Sequence, residues 1–277
     1  MRTEHRTLPT ALERRIERLR ETAEADPRLE GVLLYGSWTQ GEADSFSDLD
    51  AYVFVADEHA AHFDGREFVS RLAPVGLAYT NLFGILAVVF DDLMRGEFHF
   101  EPAGEAIPEI PSWYGTVHLP KPEAAVLLDR TGRLTEAVRP LSDFVPPESA
   151  AAAEQLTGEL ANWTLMVGHV LARGEYARAH AALAAMVAPH QLKLLRMLRG
   201  STAHWLTPSR ALEADLSEED VARYADTTGR VEPEEVRRAA RSSWALSRDL
   251  CWEAAERWGF TLPENVHDDI GLFLDAL

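Results

Sequence analysis

The chain has 277 residues, 46% hydrophobic and 26% charged, the composition of an ordinary soluble globular protein with room for one large core or two modest ones. Its 27 Lys and Arg stand against 45 Asp and Glu, a formal net charge of −18 that repels a phosphate backbone at long range and argues against nucleic acid as a partner. No apolar stretch is long enough to cross a bilayer, the charged opening MRTEHRTLPTALERRIERLRE lacks the apolar core of a secretory signal, and the single cysteine, Cys251, cannot form an internal disulfide. Together these predict a cytoplasmic protein with no membrane partner.

Leu12, Ile16 and Leu19 recur at near-helical spacing, which predicts an amphipathic helix over residues 8–26 with Pro9 in its first turn and Asp26-Pro27 as its stop. Its arginines read as a solvated face. The next stretch, GVLLYGSWTQGEADSFSDLDAYVFV (residues 31–55), reads as an apolar strand from Gly31 to Tyr35, a Gly36-Ser37 turn, a short polar segment, and a second strand opening on Asp48-Leu49-Asp50. Residues two apart on a strand point to the same side, about 6.6 Å apart at Cα, so Asp48 and Asp50 can share one site. Two carboxylates so placed suit a pair of Mg²⁺ ions about 3.5–4 Å apart, the spacing used for in-line displacement at phosphorus. A glycine at 36 lets the backbone approach a phosphate, and exposed N–H groups with the Ser37 hydroxyl can hold its oxygens. A lone Asp-x-Asp is more often the rim of a surface strand; the strand and Gly-Ser turn before it tip the reading to a phosphate-handling site.

DEHAAHFDGREFVSRLAPVG predicts a polar turn, a short helix and a loop, and ILAVVF (residues 85–90) a buried strand. Residues 91–96 read as a tight connection into Glu97-Phe98-His99-Phe100-Glu101. Strict alternation there puts both phenylalanines on one face and Glu97, His99 and Glu101 on the other. A third carboxylate on a neighbouring strand would complete metal coordination or take the proton from an attacking hydroxyl. Glu97 is the choice and Glu101 the alternate; by itself Glu101 reads as a solvated strand end, and His99 as a hydrogen-bonded strand residue beside the site. Residues 102–146 are rich in Pro and Gly, with AAVLLD as a last strand and Thr131-Gly132 turning the chain back. The two prolines of LSDFVPPESAA place a domain boundary near residue 146.

From Pro147 onward the periodicity is helical, with Gly174, Gly200 and Gly259 where C-caps are expected and helix starts at Ser217 and Pro233. Trp163, Trp205, Trp244, Trp252 and Trp258 read as bundle packing. Lys193, Arg196 and Arg199 form a broad cationic stripe on one helix. A nucleoside triphosphate needs local cations, which the second half is expected to provide, and Arg178 with Arg196 are the candidates. The fold class is α+β: a mixed-sheet domain over residues 1–146, then a helical bundle over 147–277.

A Gly-Ser pair followed by Asp-x-Asp resembles the signature of the nucleotidyltransferase fold shared with polymerase β and antibiotic adenylyltransferases. LYGSWTQGEADSFSDLD, VVFDDLMRGEFHF, the GEYARAHAAL helix start, LKLLRML and AHWLTPSRALEADLS, in that order over most of the chain, resemble the bacterial lincosamide nucleotidyltransferases of the larger, dimeric type. The resemblance implies an N-terminal nucleotidyltransferase domain and a C-terminal helical domain that contributes to substrate binding and to a homodimer. It implies transfer of AMP from ATP, with two Mg²⁺ ions, to a hydroxyl of lincomycin or clindamycin, releasing pyrophosphate and conferring resistance. By matching position, Asp48 and Asp50 would bind metal, Glu97 would act as metal ligand or general base, and Gly36 and Ser37 would hold phosphates. The chain departs from the family pattern in having Asp50 for Glu, Gln40 for Lys, and a more apolar TNLFGILAV before the third carboxylate. The alternative acceptor for the same chemistry is an aminoglycoside or another small hydroxyl-bearing metabolite, and a protein acceptor ranks after these.

Overall fold

The computed structural model describes residues 10–143, 145–146 and 148–277, and the chain divides into two compact units, one ending at Val145 and the other beginning at Pro146. The first unit is built on six strands: β1 (Leu29–Leu34), β2 (Leu49–Val55), β3 (Val75–Thr80), β4 (Leu86–Phe90), β5 (Arg95–Pro102) and β6 (Val126–Asp129). They form one mixed sheet in the order β3-β4-β5-β2-β1-β6. Only β2 and β5 run parallel; every other neighbouring pair is antiparallel.

Alternation along the central strands creates two cores, one on each face. On one face Val32 and Leu34 of β1, with Ala51, Val53 and Val55 of β2, bury against Leu12, Ile16, Leu19 and Ala23 of the helix Ala11–Glu24. That helix starts on a capping box, Thr10 accepting from the Glu13 backbone while Glu13 reaches back, a signal that lies in the sequence TALE. The Pro9 start expected from the sequence lies outside the described residues, as does the expected opening of the helical half at Pro147. On the opposite face Leu33 and Phe54 pack with Ala103, Ile107, Leu134, Val138 and Leu141. These come from helices Ala103–Glu109 and Arg133–Val138 and the short 3₁₀ turn at residues 139–143, all inside the stretch that composition marks as Pro- and Gly-rich connection.

Two further differences from the sequence reading bear on the site. VGLAYT, whose first two residues close the expected loop and whose remainder carries no assignment from the sequence, is the edge strand β3. Its exposed Leu77 and Tyr79 break the burial alternation by which a strand is recognised. The second motif strand begins at Leu49, so Asp48 sits at the end of the preceding loop rather than within the strand.

The second unit is helical, as the 3.6-residue periodicity predicts. Its long elements are Ala150–Ala172, Ala188–Arg199, Pro233–Trp258 and Glu264–Asp275, with shorter helices at Tyr176–Ala182, Leu212–Asp215 and Glu218–Ala225. A π-helical turn, Leu183–Val187, joins Tyr176–Ala182 to Ala188–Arg199. Gly200 and Gly259 cap their helices in the left-handed region, and Ser217 caps Glu218–Ala225 through its hydroxyl. Trp205 and Trp244 are buried, whereas Trp252 is exposed. No helix among the described residues is long and apolar enough to cross a membrane.

Candidate active site

Parallel pairing of β2 with β5 sets Asp50 opposite Glu97 and Tyr52 opposite His99. The Tyr35 amide donates to the Asp50 carbonyl at 3.2 Å, extending the β1–β2 ladder by one residue. Since facing residues in adjacent strands share a side of the sheet, Tyr35, Asp50 and Glu97 form one row across three strands, and Leu33, Tyr52 and His99 form the next.

The Gly36-Ser37 turn closes against this row. Gly36 has φ +75° and ψ −151°, a conformation that side chains exclude, and it leads into the single turn Ser37–Gln40. A Cβ at Gly36 would lie 2.6 Å from Asp50 Oδ2, so the bare backbone at this position is what leaves room for the carboxylate. The Thr39 hydroxyl fastens the turn by donating to the Gly36 carbonyl at 2.9 Å, and Gln40 Nε2 donates to the His118 carbonyl at 2.5 Å. Gln40 is therefore tied to a neighbouring loop.

Asp48 is presented by the loop after this turn, where the Asp44 carboxylate accepts from the Phe46 amide and the Ser47 hydroxyl. Its own carboxylate is ion-paired with Arg95 Nη2 at 2.5 Å. Arg95 was not singled out from the sequence. The signal was the register: if Asp50 faces Glu97, the residues two earlier on each chain, Asp48 and Arg95, must also come together.

The charges reinforce one another. Burial and then the negative charges of Asp48 and Glu97 push the Asp50 carboxyl up to about 7, with Arg95 pulling weakly the other way. Burial followed by the same carboxylates raises the Tyr35 phenol. The Tyr35 hydroxyl and His99 Nε2 are 3.1 Å apart, Tyr52 stacks on His99 with centroids 3.9 Å apart, and Trp113 leans on Tyr52 at 4.8 Å. Burial lowers the His99 imidazole, which keeps it neutral and suited to a hydrogen-bonded place beside the carboxylates. Tyr35 is the second residue not singled out from sequence; it is the last apolar-strand residue before the Gly-Ser turn.

Among the described residues no three acidic, His or Cys side chains stand together as a ready-made metal cluster. Asp50 and Glu97 are adjacent, and Asp48 is held by Arg95. The donor set nevertheless fits a hard divalent cation in its chemistry: carboxylate oxygens, one of them strained by like charge that a cation would relieve.

The arginines expected to neutralise a triphosphate are placed differently. Arg196 is 0% exposed, and its guanidinium donates to the carbonyls of Pro208, Ser201 and Arg210, the Ser201 hydroxyl and the Asp215 carboxylate. It is an internal tie of the helical unit, and these partners engage the donors that the sequence reading offers to phosphate. Arg199 is paired with Asp220 and Glu253, and Lys193 lies over the Trp205 ring, so the stripe is consumed by packing. Arg178 is exposed and paired with Glu175.

Residues 149–271 match the family model described as lincosamide nucleotidyltransferase-like, C-terminal domain. The match falls within the helical unit. A comparison with curated proteins returns no match. Among solved structures, an aminoglycoside 6-adenyltransferase from Bacillus subtilis is 16% identical, over 97% of this chain and 98% of that one, with a TM-score of 0.44. A nucleotidyltransferase-like protein from Exiguobacterium sibiricum 255-15 is 14% identical, over 95% and 89%, with a TM-score of 0.38. The matched residues thus follow, in this chain, a mixed-sheet unit that carries the Gly-Ser turn and the three carboxylates.

Proposed function

We propose that the protein is a divalent-cation-dependent nucleotidyltransferase that transfers AMP from ATP to a hydroxyl of a small antibiotic, with lincomycin or clindamycin as the first choice of acceptor. The observation that carries this reading is the meeting of Asp50 and Glu97 across parallel strands, directly against a Gly36-Ser37 turn whose backbone a Cβ would block. The lincosamide-like family of the helical unit supports the acceptor class.

Asp50, Glu97 and Asp48 would hold Mg²⁺, which when bound neutralises phosphate charge and favours in-line displacement at phosphorus. Gly36 and Ser37 accept the phosphates by close backbone approach and a hydroxyl donor. Glu97, half-buried and facing the site, takes the proton as the acceptor hydroxyl attacks, and His99 with Tyr35 fixes the wall beside it. Catalysis here is mostly positioning and charge neutralisation. We place the catalytic role in residues 1–146 and assign acceptor binding and homodimer formation to residues 147–277, with Arg178 a nucleotide contact to be tested.

The test is mass spectrometry after incubation with ATP and Mg²⁺, with lincomycin and clindamycin beside kanamycin, gentamicin and streptomycin. A lincosamide heavier by one AMP supports the reading. AMP on an aminoglycoside keeps the chemistry and changes the acceptor, and no adduct on any of them overturns the acceptor class. Replacing Asp48, Asp50 or Glu97 by Ala and retaining near wild-type turnover would remove these residues from the mechanism.

A further inference from the structure

Accepting that site, one contact in it is left without a role. Arg95 and Asp48 are ion-pair partners, and the Arg95 side chain is 64% exposed against 30% for Asp48. An exposed ion pair of this kind is weak and salt-screened, so it can be exchanged at little cost. The pair also occupies a carboxylate that would complete the set with Asp50 and Glu97, so a cation held there must compete with a guanidinium. The other arginines considered for phosphate do not compensate, since Arg196 is enclosed in the helical unit and Arg178 is bound to Glu175. Arg95, by contrast, sits at the first position of β5, two residues before Glu97, and its charge is felt at Asp50.

We propose that Arg95 is the exchangeable counter-ion of the carboxylate set: it neutralises Asp48 while no divalent cation is held there, and is released to the nucleotide phosphates when Asp48 turns to a cation. The charges support this exchange. With all four groups ionised, Asp48, Asp50 and Glu97 with Arg95 sum to −2, and one divalent cation brings the set to zero. A triphosphate arriving next adds negative charge that a freed guanidinium, with its planar fork of donors, is suited to bind in bidentate fashion. Arg95 is thus a positioning residue that acts on two ligands with opposite sign: it competes with the cation for Asp48 and assists the nucleotide.

The full-length protein is titrated with Mn²⁺ by water-proton relaxation, and then, at saturating Mn²⁺, with α,β-methylene-ATP by calorimetry, for wild type, Arg95→Gln, Arg95→Lys and Asp48→Asn. Arg95→Gln is expected to bind Mn²⁺ about two- to fivefold more tightly, the scale of a lost exposed ion pair, and the nucleotide about tenfold more weakly. Arg95→Lys keeps the charge and is expected to restore Mn²⁺ affinity to near wild type while recovering only part of the nucleotide affinity. Both affinities unchanged in Arg95→Gln would make the pair an incidental surface contact, and both weakened would make it structural; either result overturns the inference while the site reading stands. Mn²⁺ binding that is indifferent to Asp48→Asn, and to Asp50→Asn alongside it, would overturn the site reading itself and the inference with it.

Discussion

Gly36→Ala is the substitution that tests most directly whether turn and carboxylate are one device. At φ +75° and ψ −151° the backbone occupies a region open almost only to glycine, and forcing a side chain into it costs about 1–3 kcal/mol. The new Cβ would also meet Asp50 Oδ2 at 2.6 Å, whereas real Cβ contacts essentially never fall below 3.0 Å, so something must move by several tenths of an ångström. The Asp50 backbone cannot supply that movement cheaply. Its carbonyl accepts from Tyr35 on one side and its strand is in register with Glu97 on the other. Either the carboxylate rotates away from Glu97 or the turn opens. A displacement of about 1 Å at a reacting centre is worth about 10²-fold in rate, so the several tenths of an ångström needed here should lower turnover by about five- to tenfold, with a stability loss of about 2 kcal/mol. The assays are kcat/KM for AMP transfer to the acceptor identified by mass spectrometry, and urea unfolding followed by circular dichroism. A variant within twofold of wild type in kcat/KM and within about 0.5 kcal/mol in stability would refute the argument, because neither the strain nor the contact could then be real.

Three further outcomes are expected. Asp50→Asn should raise stability by about 1–3 kcal/mol at pH 8 without added divalent cation, although it abolishes transfer. The sign follows because a carboxyl whose folded pKa is raised to about 7 destabilises the fold increasingly as pH climbs from its unfolded value through 7; a urea midpoint that falls at pH 8 would contradict it. Asp26, 4% exposed, is held well below the usual carboxylate range by hydrogen bonds from Arg28 and then Arg71, against the cost of burial. Its contribution is therefore present at neutral pH and lost as pH falls below about 4, toward its depressed folded value. Asp26→Asn should cost about 1–3 kcal/mol at pH 7, and the gap to wild type should shrink through that acid range in urea titrations. Arg196→Met should lower stability by about 3–5 kcal/mol, because it leaves Asp215 and three carbonyls without their shared donor, yet leave the nucleotide affinity of the folded protein unchanged. Weaker nucleotide binding by calorimetry would return Arg196 to the site.

What the sequence by itself determined is what depends on neighbours along the chain. The strand, Gly-Ser turn and Asp-x-Asp follow from short-range pattern, as do the β-branched run at Leu86–Phe90, the 3.6-residue periodicity of the second unit and the glycine caps at 200 and 259. The Glu97, His99 and Glu101 face could be read because alternation fixes which side chains share a side. Where local signals were mixed, the reading stopped: the large residues Leu77 and Tyr79 of VGLAYT are exposed on an edge strand, so no buried face marks it, and the helices at Ala103–Glu109 and Arg133–Val138 hide among prolines and glycines. They are held by the apolar face of Leu33 and Phe54 that they cover.

Tertiary structure alone decided which charges meet. Asp50 and Glu97 are 47 residues apart, and their pairing is set by β2 and β5 lying parallel, a register fixed by burying Ala51, Val53 and Phe98 in the core. The same register brings Arg95 to Asp48, supplying within the first unit a cation that was sought in the second. Arg196 shows the converse. A cationic stripe on a helix reads identically whether it faces solvent or carbonyls, because periodicity records the spacing of side chains and not what the rest of the fold places opposite them.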